Sequence, residues 1–346
     1  MWLISRRFTG CIGCTFGYHQ TTRYGLTIMV ATRTQPRPAS APTRSLDERV
    51  TERIVTSLQA GVVPWRPSHH RLTDCTLEVP RNYASNHAYT GQNFLLLKCA
   101  SHDRPYYLTY RQAQQLGGQV RKGATGEFIV FCKTSARVDE QTGKERSQFL
   151  MRVSYVFHID QIDGIEFALP ERVTLDVADH EQTALMKADE LVRSCLERIG
   201  LTQRPGGIRA CYSQKADCIR MPDKTSYMHP AGYYKTLFHE LVHATGAAHR
   251  LNRPGIVDNV GMQDTKRGLY SLEELTAELG AAMLAMHCGI DAQAGAETET
   301  SAAYVASWIR FLTHDPTALR TATRQATQAV TYLLGEAEAD HEPQEA

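Results

Sequence analysis

The sequence predicts an α+β fold in two domains, and three observations lead there. The 346 residues, 42% hydrophobic and 22% charged, are enough to bury two ordinary cores. The first half mixes short helical and strand-like stretches and gives way, through a linker near Leu169–Asp179, to a long helical pattern. The second half holds His239-Glu240-Leu241-Val242-His243 inside a segment of helical period. The expected boundaries are a disordered leader over 1–45, a first domain over 46–170, a linker over 171–180, a second domain over 181–335 and an acidic tail over 336–346.

The leader has six arginines and no acid, and the last eleven residues have five acids and no base, although the whole chain is at +1. It lacks an apolar run long enough for a signal-peptide core. Translation is expected to start at Met29, where a polar, Pro-rich tail begins. Nine cysteines, an odd count without framework spacing, point to reduced thiols and a cytoplasmic location. No stretch approaches the ~20 apolar residues that span a bilayer, so no membrane role is expected.

Asp47 to Ala60 places Ile54, Val55 and Leu58 on one helical face and stops at Gly61. After the turn at Val62-Val63-Pro64-Trp65, Asn93 to Ala100 reads as an apolar helix, and Arg111 to Leu116 as a short one closed by Gly117-Gly118. Strands are predicted at Phe128–Cys132 and Phe149–Asp160, with a polar hairpin over Ser135–Gln148 between them. In the second domain a helix is expected over Glu181–Ile199, then two short strands at Ala210–Tyr212 and Asp217–Met221, stopped by Pro222. Helices follow over the HExxH segment, with Gly246 as a C′ stop, then over Ser271–Leu284, Ala302–Leu312 and Pro316–Leu334.

The HExxH helix sets the chemistry. On a helix of about 3.6 residues per turn, His239 and His243 lie on one face and can bind one Zn²⁺. Glu240, one residue on, faces the open side of the metal, where it can deprotonate a bound water as the catalytic base. The reaction implied is metal-assisted amide hydrolysis. A catalytic zinc needs a third protein ligand. Glu274 is preferred, because Glu274 and Glu278 share one face of an otherwise apolar helix, with Glu278 hydrogen-bonding a ligating imidazole. His249 is the alternative, since His239-Glu240-x-x-His243-x-x-Gly246-x-x-His249 also satisfies the metzincin pattern. Tyr233 and His229 are close enough in sequence to nominate as oxyanion partners. The short strands upstream offer an edge on which an extended peptide could lie.

In the first domain, bases are interleaved with aromatics: Trp65, Arg81, Tyr83, Tyr89, Tyr110, Arg111, Arg121 and Lys122. Stacking on rings with phosphate contacts from bases suits sequence-independent binding of single strands. The charge of residues 46–170 does not by itself announce it, with fifteen bases against thirteen acids.

The run Tyr234-Lys235-Thr236-Leu237-Phe238-His239-Glu240-Leu241-Val242-His243-Ala244-Thr245-Gly246, then Arg250-Leu251-Asn252-Arg253, then Glu273-Glu274-Leu275-x-Ala277-Glu278-Leu279-Gly280, resembles the ArdC-type antirestriction proteins of plasmids and phages. So does Ser301-Ala302-Ala303-Tyr304-Val305-Ala306-Ser307-Trp308-Ile309. Pro64-Trp65, Asn82-Tyr83, Tyr89-x-Gly91-x-Asn93, Gly117-Gly118-x-Val120-Arg121-Lys122-Gly123 and Val156-Phe157-x-x-Asp160-Gln161 look like that family's N-terminal domain, also similar to part of some plasmid primases. The resemblance implies a domain that binds single-stranded DNA joined to a zincin-like metallopeptidase domain, shielding incoming DNA from restriction. The family often has His directly after the glycine, where this chain has Ala247 and then His249. Three functions follow as expectations: an antirestriction protein with a working protease acting on an unknown protein substrate, a DNA-binding protein with an idle zinc site, or a zinc peptidase unrelated to DNA.

Overall fold

The computed structural model describes residues 22–23, 26–27, 44–65, 79–100, 102, 104–138, 145–170, 177–258, 267–290 and 300–336. Residues 1–44 and 45–346 form two separate compact units. In the first, β1 (Thr22–Arg23) pairs antiparallel with β2 (Leu26–Thr27). Most of the leader and the acidic tail lie outside the described residues, so the expectations placed on them do too.

The second unit begins with α1 (Leu46–Gln59), started by a capping box in which Ser45 accepts from the Glu48 amide while Glu48 accepts from that of Ser45. Its buried stripe is Val50, Ile54 and Leu58. A four-stranded sheet follows in the order β3 (Arg81–Asn82), β4 (Tyr106–Thr109), β7 (Glu145–His158), β6 (Glu127–Val138). Helices α2 (Gly91–Cys99) and α3 (Tyr110–Gln115) sit among these strands, and β5 (Gln119–Val120) pairs with β8 (Ile162–Asp163). The polar hairpin expected over Ser135–Gln148 is instead mostly ladder. Register runs from Glu127↔Val156 to Val138↔Glu145, because a polar sequence does not stop the backbone from pairing in an antiparallel ladder.

The second half opens with α4 (Val177–Ile199) and a small sheet in the order β10 (Cys211–Ser213), β11 (Cys218–Met221), β9 (Thr202–Pro205). The sequence pattern showed β10 and β11 but not β9, whose polar Thr202, Gln203 and Arg204 pair parallel to β11. Then come α5 (Pro230–Thr245), the short α6 (Pro254–Val257), α7 (Arg267–Cys288), α8 (Thr300–His314) and α9 (Ala318–Leu334). Among the described residues no helix is long and apolar enough to cross a membrane.

Helix α7 belongs to two cores. One gathers Leu237, Leu241 and Val242 of α5, Ala277, Ala281 and Leu284 of α7, and parts of α4, α9 and β11. The other joins Val50, Ile54 and Leu58 of α1, Trp65, and Phe94 to Leu96 of α2 to Leu275 and Leu279 of α7, Trp308 and Leu312 of α8, and Leu319 of α9. Trp65 meets Trp308 edge-on at 5.5 Å, Arg320 grips Asp47 with two bonds of 3.0 and 3.1 Å, and Thr51 donates to the carbonyl of Pro316 at 2.8 Å. The N-terminal helices therefore brace the helix that faces α5.

Candidate metal centre

Helix α5 starts with Pro230 at its first turn and His229 as N-cap, where a missing amide costs nothing. The helix ends at Gly246, but not for the reason expected. Its φ is −77°, an ordinary helical value. What demands glycine is space: a Cβ there would lie 2.6 Å from Ile256 Cγ1 and 2.9 Å from Nη2 of Arg253. Gly280 has the same role between α5 and α7, with Val242 Cγ2 2.7 Å from where its Cβ would stand. These two close approaches set the spacing across which the site is built.

On that spacing, Nε2 of His239 and Nε2 of His243 are 3.0 Å apart, and the two oxygens of Glu274 each lie 3.5 Å from one of them. The donor atoms of His239, His243 and Glu274 all fall within 4.8 Å of one another. Nδ1 of His243 is 3.1 Å from Oε1 of Glu273. Burial works against ionising Glu273, but Arg253 and then His243 outweigh it, and its pKa is lowered. As a carboxylate it can only accept, so His243 donates through Nδ1 and turns the lone pair of Nε2 toward His239 and Glu274. Burial also opposes charge on His239, yet Glu274, with Glu278 and Glu240 beyond it, raises its pKa. Two imidazole lone pairs and a carboxylate at one point form a donor set of charge −1, which fits a divalent cation.

Glu278 lies 4.0 Å from Nδ1 of His239, an ion-pair distance and not a hydrogen bond. The acid that holds an imidazole is Glu273, which the sequence offered only inside the Glu273-Glu274-Leu275 motif. Successive helical residues point about 100° apart, so Glu273 turns away from Glu274 and inward, where it is 4% exposed. There Arg253 clamps it with Nε to Oε2 at 2.9 Å and Nη2 to Oε1 at 2.7 Å, and ties α5 through bonds to Val242 O (2.6 Å) and Thr245 Oγ1 (2.7 Å). Asn252 at φ 49° turns the chain back for this, and Gly255 clears the way, since its Cβ would meet that of Glu273 at 2.6 Å. Both partners stood in quoted motifs, but twenty residues apart nothing in the string announced the pairing.

His249 stands elsewhere. It is 61% exposed at the side chain and faces Asp217 Oδ2 at 3.3 Å. Asp217 also accepts from Tyr212 Oη at 2.8 Å and twice from Arg250 at 2.8 Å. Arg250 holds Asp217 below its ordinary pKa, while burial and then Asp217 push Tyr212 up to about 12. Arg250 further donates to the carbonyls of Ala244 and Ile199, fixing the β10–β11 hairpin to the end of α5. The amide of Tyr212 in turn donates to Oε2 of Glu240 at 2.6 Å. The nominated oxyanion partners are both engaged away from this cluster: Tyr233 accepts from Gln203 at 2.6 Å, and His229 caps α5 and faces Glu181 at 3.3 Å. The ring of Tyr227 meets Tyr233 edge-on at 5.5 Å, and burial raises the pKa of its phenol.

The residues nominated for nucleic acid separate. Trp65, at 1% exposure, and Tyr89 are core residues with no ring face for a base. Tyr83 and Arg81 are half-buried, Arg111 and Lys122 are exposed, and Arg121 pairs with Asp163 at 2.8 Å. Tyr110 is exposed, and its hydroxyl accepts from Gln119 at 3.2 Å.

Residues 44–157 match the family described as the N-terminal domain of anti-restriction factor ArdC, and residues 188–325 that described as zincin-like metallopeptidase. The Sinorhizobium fredii protein y4eC is 34% identical over 312 residues, covering 87% of this chain and 94% of that one. A DNA primase TraC of Escherichia coli is 31% identical over 307 residues, covering 83% of this chain but only 27% of the primase. The crystal structures of the antirestriction ArdC protein from plasmid R388, metal-free and Mn(II)-bound, superpose with TM-scores of 0.64 and 0.63 at 33% identity, over 84% of this chain and 97% and 98% of theirs. With both halves matched in order, and a solved antirestriction protein covered almost end to end, the chain belongs to the ArdC-type antirestriction family.

Proposed function

We propose that this protein is an antirestriction factor whose N-terminal half, about residues 46–170, binds single-stranded DNA and whose C-terminal half, about 181–335, is a zinc-dependent peptidase working in the cytoplasm. The observation that carries the peptidase reading is the convergence of His239, His243 and Glu274 beside the carboxylate of Glu240. Zinc is the ion proposed because two imidazoles and one carboxylate are a common catalytic zinc set. The R388 relative has been solved with Mn(II), so metal identity is part of the test.

A divalent ion held there would polarise a scissile carbonyl and bring the pKa of a water toward ~7. Glu240 takes the proton of the attacking water at a carboxylate oxygen and passes it to the leaving amine. Tyr212 aims that carboxylate through its amide. Glu273 fixes the ring of His243, and Arg253 keeps Glu273 ionised.

The test is the Glu240→Gln variant against wild type in metal analysis, casein hydrolysis and protection of incoming DNA from restriction. Full metal content with lost hydrolysis and lost protection is expected. Unchanged protection would mean the metal site is idle in antirestriction. Metal-free protein that refuses zinc and manganese would end the peptidase reading.

A further inference from the structure

We infer that the cleft lined by Tyr83 and Tyr106 receives one unpaired nucleobase of a single strand. This rests on the DNA reading above and gives it a site. The cleft measures about 390 Å³ and is lined by Tyr83, Ala84, Asn86, Tyr106, Leu116 and Ala168. That is near the lower end of the roughly 300–1,000 Å³ of small-molecule sites, a size for one planar ring system with its sugar.

Its walls are fixed in advance. The ring of Tyr83 meets Tyr106 edge-on at 6.0 Å and Phe167 at 4.9 Å, and its hydroxyl accepts from the amide of Ala168 at 2.9 Å. The buried side chain of Asn82 accepts from the amides of Ala84 and Ser85, both at 3.1 Å, and donates to Gln112 at 2.9 Å. Asn86, at φ 55°, closes the turn, and its carbonyl accepts from Arg81 at 3.3 Å. The Asn82-Tyr83 motif thus builds one wall of the cleft. Rigid rings lose little entropy when a base stacks on them, and the amide of Asn86 can both donate and accept at a base edge.

Charge points to the same occupant. The stretch from Val79 to Gly126 supplies five of the six lining residues. It holds six bases (Arg81, Lys98, Arg104, Arg111, Arg121, Lys122) and one acid, Asp103, while residues 159–170, which supply Ala168, add Asp160, Asp163 and Glu166, so the two stretches together carry six bases against four acids. Aromatic surface, a base-sized cleft and a small net positive charge together suit a polyanion with exposed π-faces, and bases locked in a duplex offer no such face.

The test uses the full chain and fluorescence anisotropy with a labelled twelve-nucleotide dT strand and its abasic counterpart. Ala84→Leu fills the cleft and leaves both tyrosines in place; Tyr106→Ala removes a wall; thermal melting reports whether each is folded. We expect both folded variants to bind the dT strand roughly five- to a hundredfold more weakly, with little change on the abasic strand. Wild-type-like binding of dT by folded Ala84→Leu, or an equal loss on the abasic strand, overturns the cleft while leaving the DNA reading intact. A wild type that binds no single strand overturns both.

Discussion

The backbone amide of Tyr212 donates to Oε2 of Glu240 at 2.6 Å, a bond between the edge strand of a small sheet and the glutamate of the HExxH helix. Tyr212 is the middle residue of β10, opposite Ile219, and among the described residues β10 is paired on one side only. Its outward amide is therefore engaged by the very carboxylate proposed as the base. The phenol of the same residue is anchored through Asp217 and Arg250 to the end of α5. One residue thus links the hairpin to the orientation of Glu240.

Removing that amide should cost hydrolysis without costing metal. Proline is tolerated on an edge where the amide is outside the ladder. Tyr212→Pro should retain zinc but hydrolyse casein at least ~tenfold more slowly than Tyr212→Phe, since a hydrogen bond to a charged group contributes about 1.5–3 kcal/mol. Equal rates in the two variants would show that the amide does not aim Glu240.

Glu274→Ala should abolish stoichiometric zinc, measured by elemental analysis after gel filtration, and His249→Ala should leave it unchanged, because His249 faces Asp217 and not His239 and His243. The reverse pattern would return the third ligand to His249.

The Arg253–Glu273 pair is buried on both sides, so removing one partner strands a charge. Arg253→Met should lower stability by about 3–5 kcal/mol in urea unfolding. Glu273→Gln, which keeps shape but weakens the grip on His243, should lower zinc affinity by about 10–100-fold in a competition titration. Undiminished affinity would reduce the pair to packing.

Gly280→Ala places a methyl 2.7 Å from Val242 and should cost about 1–3 kcal/mol. The same forced separation of α5 from α7 moves Glu274 off the histidines, so zinc affinity should fall too. A stability loss with normal affinity would show that the helices yield elsewhere.

Asp217 gives a pH signature. Arg250 lowers its folded pKa below the ordinary 3.8 of the unfolded chain. A depressed carboxylate pKa stabilises the fold above the unfolded value, and the contribution disappears as pH falls through the folded one. Wild type should therefore exceed Asp217→Asn in urea midpoint at pH 6, and the gap should narrow below about pH 4. A gap that is constant down to pH 3 would contradict the assignment.

What could be read from the chain was local. Helical period placed α1, α5, α7 and α9 within a few residues of where they lie, since each carries an apolar stripe and a clear stop. The i, i+4 histidines followed from helix geometry alone. β9 escaped because three of its four residues are polar and its pairing partner is sixteen positions away. The ribbon of β6 and β7 was shortened for a similar reason, as the polar run Ser135–Gln148 carries no apolar alternation to mark a strand.

The sequence by itself determined the HExxH helix, the acid-bearing helix that faces it and the family these motifs resemble, because those signals lie within one or two turns of chain. Tertiary structure alone decided which glutamate approaches the imidazoles, that Glu273 and Arg253 brace the site, that Trp65 and Tyr89 are core, and that Tyr83 and Tyr106 frame a cleft. Each of these depends on how far apart two elements pack, and that distance is fixed by side chains such as Gly280 and Val242 meeting across a gap the linear order does not record.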